Sequence, residues 1–167
     1  MGRVTHVSRF FGALCAAALS AGLVGAEAAD EKTIRLKKAP AEALAAAQEA
    51  RPDVTFDKVT VEVEDGVTTY EFSGETEDGD RVEVDVVADW AVTEIEEEID
   101  VADIPAEVIA AVSVEIEGFE PTGAEKSTRP DGAVVYELEG LNAEGVEVDI
   151  EVQADGESVI VLDDETT

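Results

Sequence analysis

Carboxylates are the one reactive group this chain has in quantity. Asp and Glu number 41 against 11 Lys and Arg, giving a formal net charge of −30. Many alternate with Val, Tyr, Phe or Ile at a spacing of two: Glu62, Glu71, Glu83 and Asp85, and later Glu137, Glu139, Asp149 and Glu151. In a β-strand that spacing places them on one face, with the apolar residues on the other. Like charges directly opposite each other across strands destabilise a sheet by about 0.2–1 kcal/mol per pair. A sheet that keeps them therefore needs salt, cations or a basic partner to offset the repulsion. Three uses follow: solubility, with Glu96-Glu97-Glu98 blunting an edge strand; docking of a basic protein surface; or divalent cation binding.

Other chemistries lack their parts. Glu75-Thr76-Glu77-Asp78-Gly79-Asp80 and Asp163-Asp164-Glu165 cluster oxygen ligands. Neither has the alternating carboxylates, sixth-position Gly and twelfth-position Glu of an EF-hand loop, and Asp78-Gly79 reads better as a turn. Calcium is thus a weak candidate, and no cofactor is called for. Carboxylate pairs could serve glycosidase-type acid/base work, but with so many acids a pair at any spacing is guaranteed. The single Cys15 and single His6 lie near the N-terminus, in a segment read below as removed. Zinc sites, disulfides and Ser-His-Asp or Cys-His arrangements are therefore excluded from the mature chain. No phosphate loop or nucleophile elbow occurs, and the expectation is that the protein is not an enzyme. A surface this negative repels phosphate backbones, which rules out nucleic acid. Trp90, the lone tryptophan, falls in a turn, where it either packs internally or anchors an interface.

The 167-residue chain is 45% hydrophobic, enough for a core and too rich in Val, Ile and Leu for an acidic disordered chain. Residues 1–29 have the form of a secretory signal. Arg3 and Arg9 make a positive start, an apolar run extends from Phe10 to Ala26, and small residues follow at Val24-Gly25-Ala26 or Ala26-Glu27-Ala28. The run is short for a membrane span, so cleavage and a periplasmic or secreted location are expected, with no stable membrane span afterwards. Lys32, Arg35, Lys37 and Lys38 make residues 30–38 a basic linker, read as a flexible lead-in.

The remainder repeats itself. Pro40-Ala41-Glu42 recurs as Pro105-Ala106-Glu107, Tyr70-Glu71-Phe72-Ser73-Gly74 as Tyr136-Glu137-Leu138-Glu139-Gly140, and Val82-Glu83-Val84-Asp85-Val86 as Val148-Asp149-Ile150-Glu151-Val152. The order is kept at a near-constant offset, which predicts a tandem duplication. Pro40 and Pro105 suit a first helical turn, with Asp103 as a cap for the second helix. Val108, Ile109, Val112 and Ile116 make an apolar stripe there. Arg51-Pro52 and Gly118 stop the two helices. Period-two alternation then predicts strands around 59–63, 69–72, 82–86 and 93–99, repeated at 123–129, 133–140, 146–152 and 158–162.

The Pro-Ala-Glu helix, the Asp65-Gly66 hairpin, the Tyr-Glu-Phe/Leu-x-Gly strand and the Val-Glu-Val-Asp-Val strand resemble PepSY-like domains. Those domains are similar to peptidase propeptides and, more distantly, to the β-lactamase inhibitor protein. The expected fold is α+β: a tandem repeat of a helix followed by a four-stranded antiparallel meander, with the helix on one sheet face, over 39–101 and 102–167; a lobe of this size is marginal alone, so the two are expected to share an interface, one extended eight-stranded sheet being one arrangement. The resemblance implies an exported, non-catalytic binding module that inhibits or restrains a peptidase or another protein, and it brings no catalytic residues. The partner expected is a protein with a basic surface. Glu62, Glu71, Glu83, Asp85, Trp90, Glu137, Asp149 and Glu151 are the candidate contacts. The alternative is an acidic envelope protein binding calcium or other cations weakly.

Overall fold

The computed structural model describes residues 30–64 and 66–162. The segment read as a secretory signal, with His6 and Cys15, and the Asp163–Glu165 cluster lie outside them. Nine strands form one antiparallel sheet in sequence order: β1 Asp30–Arg35, β2 Thr55–Glu64, β3 Val67–Glu75, β4 Arg81–Val87, β5 Val92–Glu98, β6 Glu120–Thr128, β7 Val134–Leu141, β8 Glu147–Gln153 and β9 Val159–Leu162. Helix α1, Ala41–Ala50, lies between β1 and β2, and α2, Ala106–Glu115, between β5 and β6.

This corrects the expected architecture. The chain is not a tandem repeat of helix plus four-stranded meander but a single nine-stranded sheet carrying two helices. Two pairings overturn the expectation. The basic segment read as a lead-in contributes β1, whose Ile34 stands opposite Val59 and whose Lys32 stands opposite Val61. Strand β5, read as a charged edge, lies mid-sheet and pairs with β6 from Ile95–Thr128 to Glu98–Glu125. Its acids therefore blunt no edge.

Both helices cover the same face. Small side chains let α1 sit close: Ala43 and Ala47 are fully buried against Val59, Phe72, Val82, Val84 and Val86. Helix α2 presses Val108 and Val112 onto Ala124, Tyr136, Leu138, Ile150 and Val152. Burying a Val or Phe side chain stabilises by roughly 1.5–3 kcal/mol, so these two clusters are the main apolar contribution. Each helix has a proline as its N-cap, and no side chain caps either end. Asp103 lies instead in a 3-10 turn before α2. The helices end at Arg51 and Ile116, close to the expected stops. Between the two apolar clusters, Glu97 accepts from Arg51 at 2.8 Å and pairs with Lys126 at 3.5 Å. That ties α1 and β6 to the middle strand on the helix side.

A bulge in β2 between Phe56 and Lys58 sets the register there, with Gly74 opposite Phe56. Phe56 meets Phe72 edge-on, with ring centroids 6.0 Å apart.

Candidate functional site

The face away from the helices carries the carboxylates in rows. Thr60, Glu71, Asp85 and Glu94 follow one another across β2 to β5. The next row runs Lys58, Ser73, Glu83, Glu96, Ser127 and Val135 across β2 to β7. A third runs Glu98, Glu125, Glu137 and Glu151 across β5 to β8. Strand alternation dictates the facing, because the intervening Phe72, Val84, Ile95, Tyr136 and Ile150 go to the apolar side. Pairing the strands in register then sets like charges directly opposite.

These acids are packed tightly together. Glu71, Asp85 and Glu96 are only 4%, 3% and 8% exposed, although neither helix covers them. Besides Arg129, strand pairing places Arg35, Lys58 and Arg81 on this face, with Arg35 opposite Lys58, Lys58 opposite Ser73 and Arg81 opposite Glu75. Arg129 Nε lies 3.4 Å from Glu94 Oε1, and its Nη2 lies 3.9 Å from Glu151 Oε1. Two hydroxyls help: Ser73 donates to Glu83 at 2.6 Å, and Ser127 donates to Glu94. Three buried oxygens find no hydrogen-bond donor: Glu71 Oε1, Asp85 Oδ1 and Glu96 Oε1. Leaving a buried acceptor unpaired costs about 1–3 kcal/mol.

Burial and like charge push the cluster's pKa values up. Burial first, then the charges of Glu83 and Glu62, lifts Glu71 to about 7. Burial with Glu137, Asp85 and Glu83 lifts Glu96 to about 10. Glu125 and Glu137 reach about 7, again chiefly through burial, with Arg129 pulling Glu137 the other way. Asp85 rises well above the ordinary carboxylate range, by burial and then by Glu83, Glu71 and Glu94. Glu62, nearer the rim, is raised by burial and by Glu64 and Glu31. The face is thus built to hold protons or to welcome positive charge. Asp85→Asn should stabilise the protein by about 1–2 kcal/mol at pH 8, because it removes a buried charge without a partner. At pH 4 the gain should vanish. Urea unfolding at both pH values tests this, and equal stability of variant and wild type at pH 8 would refute it.

Of the residues singled out from the sequence, Glu62, Glu71, Glu83, Asp85, Glu137, Asp149 and Glu151 share this face. Trp90 does not join them. It sits in the β4–β5 turn at φ 69, a left-handed conformation that is an outlier for a bulky residue. It is 39% exposed, with its ring 6.2 Å from that of Tyr70 on the helix side. Sequence reasoning missed Glu94, Glu96 and Glu125, the acids nearest the middle. Their signal was the alternation Glu94-x-Glu96-x-Glu98, in phase with Glu83-x-Asp85. Among the described residues, no group of three or more His, Cys, Asp and Glu is arranged to hold a metal ion. No helix among them is long and apolar enough to cross a membrane.

Residues 37–89, from the turn before α1 to the β4–β5 connection, match the PepSY family, the peptidase propeptide and YPEB domain. This is the family the sequence resembles. The fold is similar to a DUF2874 family protein from Bacteroides uniformis, at 18% identity and a TM-score of 0.56, covering 74% of this chain and 89% of that one. It is similar also to a BLIP-like protein from Bacteroides fragilis, at 16% identity and a TM-score of 0.54, covering 77% and 91%. A protein described as periplasmic from Bacteroides eggerthii aligns at 13% identity with a TM-score of 0.56, covering 74% and 88%. At these identities the likeness is one of fold. No curated protein matches the chain.

Proposed function

We propose that this is an exported protein that works by binding, and that the acidic sheet face receives the basic surface of a protein partner. The observation that carries the reading is the set of carboxylate rows with three buried, unpartnered oxygens. A folded chain bears that cost in isolation and recovers it when positive charge arrives. Glu62, Glu137, Asp149 and Glu151, less deeply buried, form the outer contacts. The PepSY match, with its peptidase-propeptide description, and the BLIP-like neighbour support a module that restrains its partner without catalysis, with a peptidase as the first partner class to try. The N-terminal signal pattern and the periplasmic neighbour support export.

The test is a pull-down from periplasmic extract with tagged protein beginning at Asp30. A parallel bait carries Glu62→Gln, Glu137→Gln and Glu151→Gln together. A stoichiometric partner held at low salt, released at high salt and lost by the triple variant is the expected result. A partner held equally by both baits would place the binding surface elsewhere.

A further inference from the structure

The two ends of the sheet are unlike. At one end β1 has four charged residues in six, a pattern that blunts an open edge. At the other, β9 reads Val159-Ile160-Val161-Leu162, with no charged residue, proline or bulge. Among the described residues nothing pairs with its outer side, and Ile160 and Val161 are 43% and 46% exposed. Gln153 donates its amide to the Ser158 carbonyl. Alternation along the β8–β9 ladder therefore turns the amides of Ile160 and Leu162 toward β8 and those of Val159 and Val161 outward. We propose that this edge is a strand-addition site. It takes, as a tenth strand, an extended segment of a partner protein in which Lys or Arg alternates with Val, Ile or Leu.

Charge and facing define that occupant. Two rows of acids on the open face end at β9: Glu137 and Glu151 lead to Ile160, and Glu139 and Asp149 lead to Leu162. In a strand added beyond β9, alternate side chains continue those rows, about 10 Å from the acids of β8. A Lys or Arg there lays its stem along Ile160 or Leu162 and carries its charge back toward Glu151 and Asp149. The chain's own Arg129 reaches Glu151 from the β6 side, at 3.9 Å, and the added strand comes from the opposite side. Side chains of the other phase fall beside Val159 and Val161 on the side of α2, where Val159 packs against the apolar cluster. They are therefore apolar. A second copy fits poorly: antiparallel β9–β9 pairing with the apolar sides aligned sets another acidic face flush with this one, on chains of net charge −30. The preference for basic residues rests on the acidic-face reading above; the open edge does not.

Fluorescence anisotropy with a labelled, capped peptide of three Lys-Val repeats, added to the protein from Asp30 at pH 7 and low salt, tests this. Wild type should bind it about tenfold more tightly than a block peptide of three Lys followed by three Val, which has the same charge and composition. Val161→Pro removes an outward amide and leaves the β8 ladder intact, so it should bind the alternating peptide about tenfold more weakly. Val161→Thr, which keeps the amide, should bind as wild type does. A melting curve for Val161→Pro close to that of wild type separates lost binding from unfolding. Equal binding of the alternating and block peptides would overturn strand addition whatever the variants do. Equal affinity of wild type and Val161→Pro would also overturn it, placing the peptide on the acidic face and leaving that reading intact. A peptide of Thr-Val repeats binding as tightly as Lys-Val would overturn the basic occupant while the edge stands. Dimerisation of the protein alone, lost in Val161→Pro, would give the edge to a second copy and overturn the partner segment. No binding to wild type would remove the site, with the acidic face still decided by the pull-down.

Discussion

The purified protein is expected to melt about 10 °C higher at pH 5 than at pH 8. Most acidic proteins lose stability as carboxylates protonate, and this one should gain it. Glu71, Glu125 and Glu137 have folded-state pKa values near 7, and Glu96 one near 10, against an ordinary value of 4.5. Each holds its proton in the folded chain where the unfolded chain has already lost it. Their contribution is therefore fully present below pH 4.5 and is lost as pH rises through 7 and beyond. With solvent screening and mutual coupling, the loss between pH 5 and pH 8 should be on the order of 3 kcal/mol. Self-repulsion at a net charge of −30 acts in the same direction. Asp53 has the opposite sign. The hydrogen bond from Arg51 draws it down to about 2, so its contribution is lost only as pH falls below 4. Differential scanning calorimetry from pH 4 to pH 9 should show a maximum near pH 5, and a rise towards pH 8 would show the cluster to be compensated. Millimolar arginine peptide should flatten the alkaline limb if the acidic face binds it.

Gly74→Ala should destabilise the protein by about 3 kcal/mol, through overpacking against rigid backbone. A Cβ at that position would stand 2.4 Å from the Thr55 carbonyl oxygen and 2.8 Å from Phe56 Cα. Those are main-chain atoms at the β2 bulge, so no side chain can swing away to relieve the contact. Gly79→Ala is the control. Gly79 has φ +89 with nothing within 4 Å of a Cβ, so only the left-handed backbone is penalised, at about 1–2 kcal/mol. Chemical unfolding of the pair should show the larger loss at Gly74. The reverse order would mean that the β2 bulge can slip its register.

The contrast explains what could be read from the chain and what could not. Strand positions and the apolar side of each strand were legible, because valines at period two with acids between them admit one arrangement. The helix ends were legible from Pro40, Pro105, Arg51-Pro52 and Gly118. Strand β1 was hidden because Ile34 is its one large apolar residue among Asp30, Glu31, Lys32, Thr33 and Arg35, which reads as a tail until β2 is there to pair with it. Strand β5 was legible as a strand at 93–99, but its place mid-sheet was not. Four glutamates in seven residues suggest an edge, yet pairing depends on backbone groups that side-chain charge does not reveal. The repeated motifs divided the chain into two units, and with β5 read as the charged last strand of the first, Glu94 and Glu96 dropped out of the site. Facing was thus readable for most of the acids. Their crowding, which makes the face unusual, came only with the β5–β6 junction.

That junction has a mechanical consequence. It has four paired positions, against nine between β2 and β3 and eight between β6 and β7, and each flank has its own apolar core. Stretching the molecule, or ionising its acids, should part it along this line before either half melts. The strands laid bare would then be β5, with Glu94, Glu96, Glu97 and Glu98 along its fresh edge, and β6, with Glu125 and Lys126 along its own. An edge so charged refuses a second chain's strand. The line between the two apolar cores thus opens onto an acid-rich β5 edge that resists a second chain's strand, which favours closing again over polymerising.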